Sequence, residues 1–218
     1  MQNKTKKYRV RIKNICIPSN KLFQVPFKTE QIKRYKGISD SDCIKNDCFF
    51  QVMTVLGLRH YSLSRKDSLR VKKTKSSGVE TRYAAVYLSL IFNATIKPKY
   101  VLEQSFANKY SNYKDIHIPR TNQPIHIQLN TYLDLDNGYA TFICGLFIVS
   151  DCLRGHFFII YKENDTIYYY DQSKKKISEN IYDIISKNKF VGFFMYYNES
   201  KEHCLLMKDK INSKIPIC

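Results

Sequence analysis

The sequence predicts an α+β fold in which helices come first and an antiparallel sheet follows. Three observations predict it. Apolar residues recur at helical spacing in two segments of the N-terminal half, 48–58 and 80–93. From residue 116 onward the period shortens to two, as in strands that bury one face. Turn-forming clusters at 151–155 and 163–165 separate successive apolar runs, which suits a sheet built from neighbouring strands.

Taken in order, residues 1–14 form a basic arm, running into a strand-like stretch over 8–17, with proline turn signals over 18–26. A polar loop over 38–47 leads into a helix over 48–58, where Phe49, Val52, Met53, Val55 and Leu56 recur at helical spacing and Gly57 marks the stop. Residues 59–78 are strongly basic and end in Ser-Ser-Gly, the composition of an exposed excursion. A second helix spans 80–93, with Tyr83, Val86, Tyr87, Leu90 and Ile91 on its apolar face and Pro98 beyond its end. Strands are then expected at 117–119 and 125–129 around a turn, and at 139–150, 156–162, 166–170 and 191–197. A short amphipathic helix falls at 177–186. No internal repeat breaks the chain, so one main domain over 38–200 is expected, preceded by the arm and first strand (1–37) and followed by a tail (201–218).

At 218 residues with 44% hydrophobic content, the chain is long enough to bury a sizeable core. Its 36 Lys and Arg stand against 19 Asp and Glu, a formal charge of +17. A field of that sign attracts polyanions, so non-specific nucleic acid is an expected partner. Arg59, Arg65, Lys66, Arg70, Lys72, Lys73 and Lys75 are the candidate polyanion-binding residues, with the N-terminal arm beside them. No apolar run reaches the roughly 18 residues of a membrane span, and residues 1–13 lack the apolar segment of a signal peptide. The expected location is therefore intracellular, in cytoplasm or nucleus, or a virus particle. Seven irregularly spaced Cys suit free thiols in a reducing compartment, not a disulfide framework.

The residues that carry chemistry begin at Asn46-Asp47-Cys48-Phe49-Phe50. A Cys where a polar loop turns into a buried helix sits among unpaired amides at the positive end of the helix dipole, and both favour a thiolate. The same amides can receive the oxyanion of a tetrahedral intermediate. A nucleophile needs a base, and the base needs an orienting group. His156 stands at the mouth of an apolar strand, and Asp171 ends the next one. A hairpin turning about residues 163–165 sets His156 opposite Asp171.

Cys on a helix, then His at the start of a strand, then Asp after the next strand resembles the papain-like cysteine peptidase superfamily. Asp47-Cys48-Phe49-Phe50 is similar to the nucleophile motif of its OTU-like branch, whereas the His156–Asp171 hairpin, followed by a helix and the strand around Phe193, resembles the Josephin-like layout. The resemblance covers roughly residues 40–200. It implies a papain-like fold and a thiol peptidase or isopeptidase with Cys48 as nucleophile, His156 as base and Asp171 as its orienting partner. The implied substrate is a viral precursor or a ubiquitin-like conjugate, and the composition suits a large DNA virus. Two departures are visible, and one is that the glycine expected just before the OTU-like Asn-Cys pair is missing. The superfamily's oxyanion Gln, six residues before the nucleophile, is replaced by Asp42, whose charge would repel an oxyanion, so Asn46 is the nearest neutral donor.

Other readings stand beside this one. Cys48 alone reads as a small hydrophobe at a helix start. Cys43 and Cys48 with His117 and His126, or Cys144 and Cys152 with His156, supply zinc ligand types without the paired short spacing of a structural zinc site, so neither metal nor cofactor is expected. A serine nucleophile lacks its glycine elbow, and no phosphate-cradling loop occurs. The rival function is a non-enzymatic basic virion or nucleic-acid-associated structural protein.

Overall fold

The computed structural model describes residues 14–16, 21–34, 47–59, 79, 81–92, 94–103, 116–117, 124–149, 152–185, 189–200 and 204–206. They form five helices, α1 (Glu30–Arg34), α2 (Cys48–Val55), α3 (Thr81–Phe92), α4 (Ile125–Tyr132) and α5 (Ile181–Ile185). The strands are β1 (Asn14–Cys16), β2 (Lys21–Leu22), β3 (Val25–Pro26), β4 (Ile96–Leu102), β5 (Ile116–His117), β6 (Tyr139–Val149), β7 (Cys152–Glu163), β8 (Thr166–Asp171), β9 (Lys176–Ser178), β10 (Lys189–Asn198) and β11 (Cys204–Leu206).

Nine strands make one sheet, running β5-β4-β10-β6-β7-β8-β9 with β2 and β3 added. Only β5 lies parallel to its neighbour among these described pairings; the other eight strands pair antiparallel. The mixed helix-and-strand class expected from the sequence is therefore present, with a large antiparallel sheet at its centre. β10 and β6 pair near Phe194 and Cys144 but separate further along. Residues 21–26 fill that opening, β2 pairing with the end of β10 and β3 with the start of β6. The Phe23 amide donates to the Tyr196 carbonyl at 2.7 Å, and Thr141 Oγ1 donates to the Phe23 carbonyl at 2.6 Å. This segment, read from its prolines as turns within an N-terminal arm, thus completes the main sheet. β1 pairs with β11, joining the two ends of the described chain.

Alternation along β6 and β7 sends side chains to both faces. Phe142, Phe157 and Ile159 enter a core with α2 and α3, built on Phe49, Val52, Met53, Tyr87, Leu88 and Ile91. Ile143, Phe158 and Ile160 enter a second core with Ile125 and Leu129 of α4 and Ile181, Ile184 and Ile185 of α5. The sheet is therefore covered on both sides, which is why its central strands read as nearly continuous apolar runs.

Three local expectations are corrected. Residues 125–129, read as a strand, are the first turns of α4. Ile-His-Ile-Gln-Leu alternates, yet the buried set is Ile125, Gln128 and Leu129, the i, i+3, i+4 pattern of a helix. On α3 the buried face carries Ala84, Ala85, Tyr87, Leu88, Ile91 and Phe92, while Val86 and Leu90 face outward, so small alanines, not the larger residues, let the helix approach the sheet. Finally, β7 begins at Cys152, inside the expected 151–155 turn. Among the described residues no helix is long and apolar enough to cross a membrane.

Candidate active site

Cys48 is the first residue of α2, and both ends of that helix are fixed. At the start, Asp47 makes no capping hydrogen bond to the backbone; its buried carboxylate instead accepts from Gln51 Nε2 across the first turn. At the end, Gly57 adopts φ +68°. Its amide donates to the Thr54 carbonyl at 3.0 Å and the Leu58 amide to the Met53 carbonyl at 2.9 Å, a Schellman closure that suits glycine. Phe49 anchors the helix sideways, packing edge-on against Phe50, Tyr87, Phe142 and Phe157. The residue after Cys48 thus touches the residue after His156, and this contact sets the thiol beside the start of the exposed part of β7.

His156 lies on β7 across from Gly145 of β6. Its Nε2 stands 3.1 Å from Asp171 Oδ1, and the Cys48 side chain is near enough to raise the His156 pKa. With Nε2 committed to the carboxylate, Nδ1 is the nitrogen left for the thiol. Cys48, His156 and Asp171, chosen from the sequence, are therefore brought together. The route differs from the expected one. The turn residues Asn164 and Asp165 both have positive φ, so the hairpin turns on two residues and pairs Glu163 with Thr166 and Ile159 with Tyr170. In that register His156 and Asp171 are two positions out of line, and the imidazole meets the carboxylate diagonally.

Electrostatics reinforce the contact. Burial alone would lower the His156 pKa, but its hydrogen bond to Asp171, the interaction with the Cys48 side chain and the negative charge of both raise it to about 10. Burial would raise Asp171, yet the His156 hydrogen bond and charge, with two hydrogen bonds from Ser173, bring it down to about 2. The Asp171 side chain is fully buried and that of His156 is 30% exposed. Asp171 Oδ1 also accepts from the Ser173 amide at 2.9 Å and its hydroxyl at 2.6 Å, and Lys174 Nζ stands 3.6 Å from Oδ2. At neutral pH these shifts keep His156 an imidazolium beside a charged Asp171 carboxylate.

Two further residues belong to the neighbourhood. Gln172 Nε2 donates to the Phe157 carbonyl at 2.7 Å and to the Cys48 carbonyl at 3.1 Å. Its only sequence signal is adjacency to Asp171 at a strand end, which is not enough to assign a role. Cys144 is a buried free thiol on β6 whose pKa burial pushes well up, with the nearby Cys48 charge adding to it.

Asn46 and Asp42, considered for the oxyanion, lie outside the described residues, as do Arg65, Lys66, Arg70, Lys72, Lys73 and Lys75. Arg59 is described: its guanidinium sits 6.0 Å above the centre of the Tyr87 ring, against the core. His126, placed in sequence on a strand, lies on α4 against the Tyr182 hydroxyl and ring. Among the described residues no cluster of three or more His, Cys, Asp or Glu is arranged to hold a metal ion.

No family profile matches the chain, and neither does any curated protein or solved structure. The functional reading therefore rests on the geometry just described.

Proposed function

We propose that the chain is a papain-like cysteine hydrolase, a peptidase or isopeptidase, with Cys48, His156 and Asp171 as its catalytic residues. The observation that carries this reading is the single imidazole of His156, set 3.1 Å from a buried carboxylate and close enough to the Cys48 side chain to feel its charge. A structural histidine at a strand end needs one partner; a catalytic one needs a nucleophile on one nitrogen and an orienting acceptor on the other.

In the proposed reaction the imidazolium of His156 pairs with the Cys48 thiolate, and Asp171 fixes the ring. The sulfur attacks the carbonyl carbon of an amide, and unpaired backbone N–H groups in the first turn of α2 stabilise the oxyanion. The C–N bond breaks as His156 gives its proton to the leaving amine, which leaves a thioester on Cys48. Water then attacks the thioester while His156 takes its proton, releasing the acid and regenerating the ion pair. The chain's own charge of +17 favours acidic or nucleic-acid-associated protein substrates, such as viral precursors, over the basic conjugation tail of a ubiquitin-like protein. Non-specific nucleic acid is proposed as an additional partner on the same ground.

The test is iodoacetamide labelling of the native protein from pH 5 to 9, mapped by mass spectrometry, with His156→Ala alongside. Cys48 is expected to label fastest at pH 6 and to lose about tenfold in the variant, while Cys144 stays unlabelled. Equal reactivity of Cys48 and the other cysteines overturns the reading and favours a non-enzymatic basic structural protein.

A further inference from the structure

We infer that Gln172 is the positioning residue of the site, a single amide that holds all three catalytic residues in place through the backbone; this rests on the cysteine-hydrolase reading above. The β7–β8 ladder runs from Glu163–Thr166 to Ile159–Tyr170, and Phe157 lies beyond its last pair. The Phe157 carbonyl takes its hydrogen bond instead from Gln172 Nε2 at 2.7 Å. The second proton of the same NH₂ reaches the Cys48 carbonyl at 3.1 Å. One side chain thus joins the nucleophile's own carbonyl, the carbonyl of the residue that follows His156 and the backbone that follows Asp171.

The arrangement is demanding. Gln172 is only 2% exposed, and its Oε1 is buried without a hydrogen-bond partner among the described residues. Simple packing would be served as well by Leu or Met, which bury no unpaired oxygen. What only the amide supplies is two donors from one atom, aimed at carbonyls on two different elements. The first residue of α2 meets β7 and β8 through this link, while the Phe49 ring holds the helix one residue further on. Without the amide, packing still seats α2, but the Cys48–His156 distance is no longer set by a hydrogen bond. Distances at a nucleophile–base pair are where small shifts cost most.

The experiment repeats the iodoacetamide pH series on Gln172→Met and Gln172→Glu, with near-ultraviolet circular dichroism to check folding. Gln172→Met keeps the volume and removes both donors; Cys48 labelling at pH 6 is expected to fall about tenfold and its pH profile to move toward alkaline values. In Gln172→Glu a protonated carboxyl can still donate to one carbonyl, whereas the ionised form faces two oxygens. Its labelling is expected to be nearest to wild type at pH 5 and to drop away as the pH rises, a signature that general loosening would not produce. A folded variant of either kind with the wild-type profile overturns the assignment of Gln172 while leaving the hydrolase intact. A wild-type protein without fast Cys48 labelling at pH 6 overturns the hydrolase first, and the role of Gln172 with it. If Gln172→Met does not fold, the pH signature of Gln172→Glu decides alone.

Discussion

His156 Nε2 lies 3.1 Å from Asp171 Oδ1 although the hairpin that carries both residues sets them two positions out of register. The diagonal is available because the β7–β8 ladder has ended before His156, so the start of β7 is not held flat against β8. Asp171, in turn, is held by the Ser173 amide and hydroxyl, leaving one oxygen aimed at the imidazole and one toward Lys174. Asp171→Asn keeps the shape and an acceptor for Ser173 but removes the charge that keeps His156 protonated. The variant is expected to fold and to lose about 10- to 100-fold in Cys48 alkylation rate at pH 6. Comparing the slopes of rate against pH in the two proteins checks this. An unchanged profile would show that Asp171 does not tune the ring.

The same pair makes a statement about stability. The folded pKa of His156, about 10, lies above its ordinary 6.5, so its contribution is full below pH 6.5 and is lost as the pH rises through 10. That of Asp171, about 2, lies below its ordinary 3.8, so its contribution is full above 3.8 and is lost as the pH falls through 2. Both are complete between about pH 4 and 6.5. The melting temperature of the wild type is expected to fall between pH 7 and 10 more steeply than that of His156→Gln, with the gap closing by roughly 5 °C. Parallel curves would mean that His156 is not held protonated by its partners.

How much of this was legible beforehand depended on range. The Cys48 helix was readable because Phe49, Val52, Met53 and Val55 are spaced for one buried face and Gly57 stops it, all within ten residues. The order Cys48, His156, Asp171 was readable because strand ends and turns are local features. Residues 125–129 were not, since five residues that alternate in polarity fit either period, and only contacts with β10 and α5 in the second core decide. The insertion of 21–26 between β6 and β10 was hidden for a related reason: the two strands are distant in sequence, and nothing local says that they separate. Gln172 stayed hidden because its partners lie 15 and 124 residues away.

Gly57 offers a test of how the Cys48 helix is closed. At φ +68° a side chain is strained wherever the space is open, and an added Cβ here would meet only Gln31 Nε2 at 3.6 Å. Gly57→Ala is therefore expected to cost about 1 kcal/mol from backbone strain, a drop of about 2–4 °C in melting temperature. Cys48 labelling should not change, because the Schellman closure is at the far end of α2. A stability equal to wild type, measured by urea unfolding, would mean that the helix ends differently in solution.

The assignment of residues 125–132 to a helix is tested by asking which neighbours share a face. In a strand Ile125, Ile127 and Leu129 would lie together on the buried side, and truncating either of the last two would cost alike. In α4 they separate: Leu129 is 0% exposed and Ile127 is 44% exposed. Leu129→Ala removes a side chain packed in the second core with Ile125, Phe193 and Ile184, and is expected to destabilise by about 2–5 kcal/mol. Ile127→Ala removes an exposed side chain and is expected to stay within about 0.5 kcal/mol of wild type. Urea unfolding of the two variants reads the difference directly. Equal losses would restore the strand and unseat α4 from the sheet, and the covered second face with it.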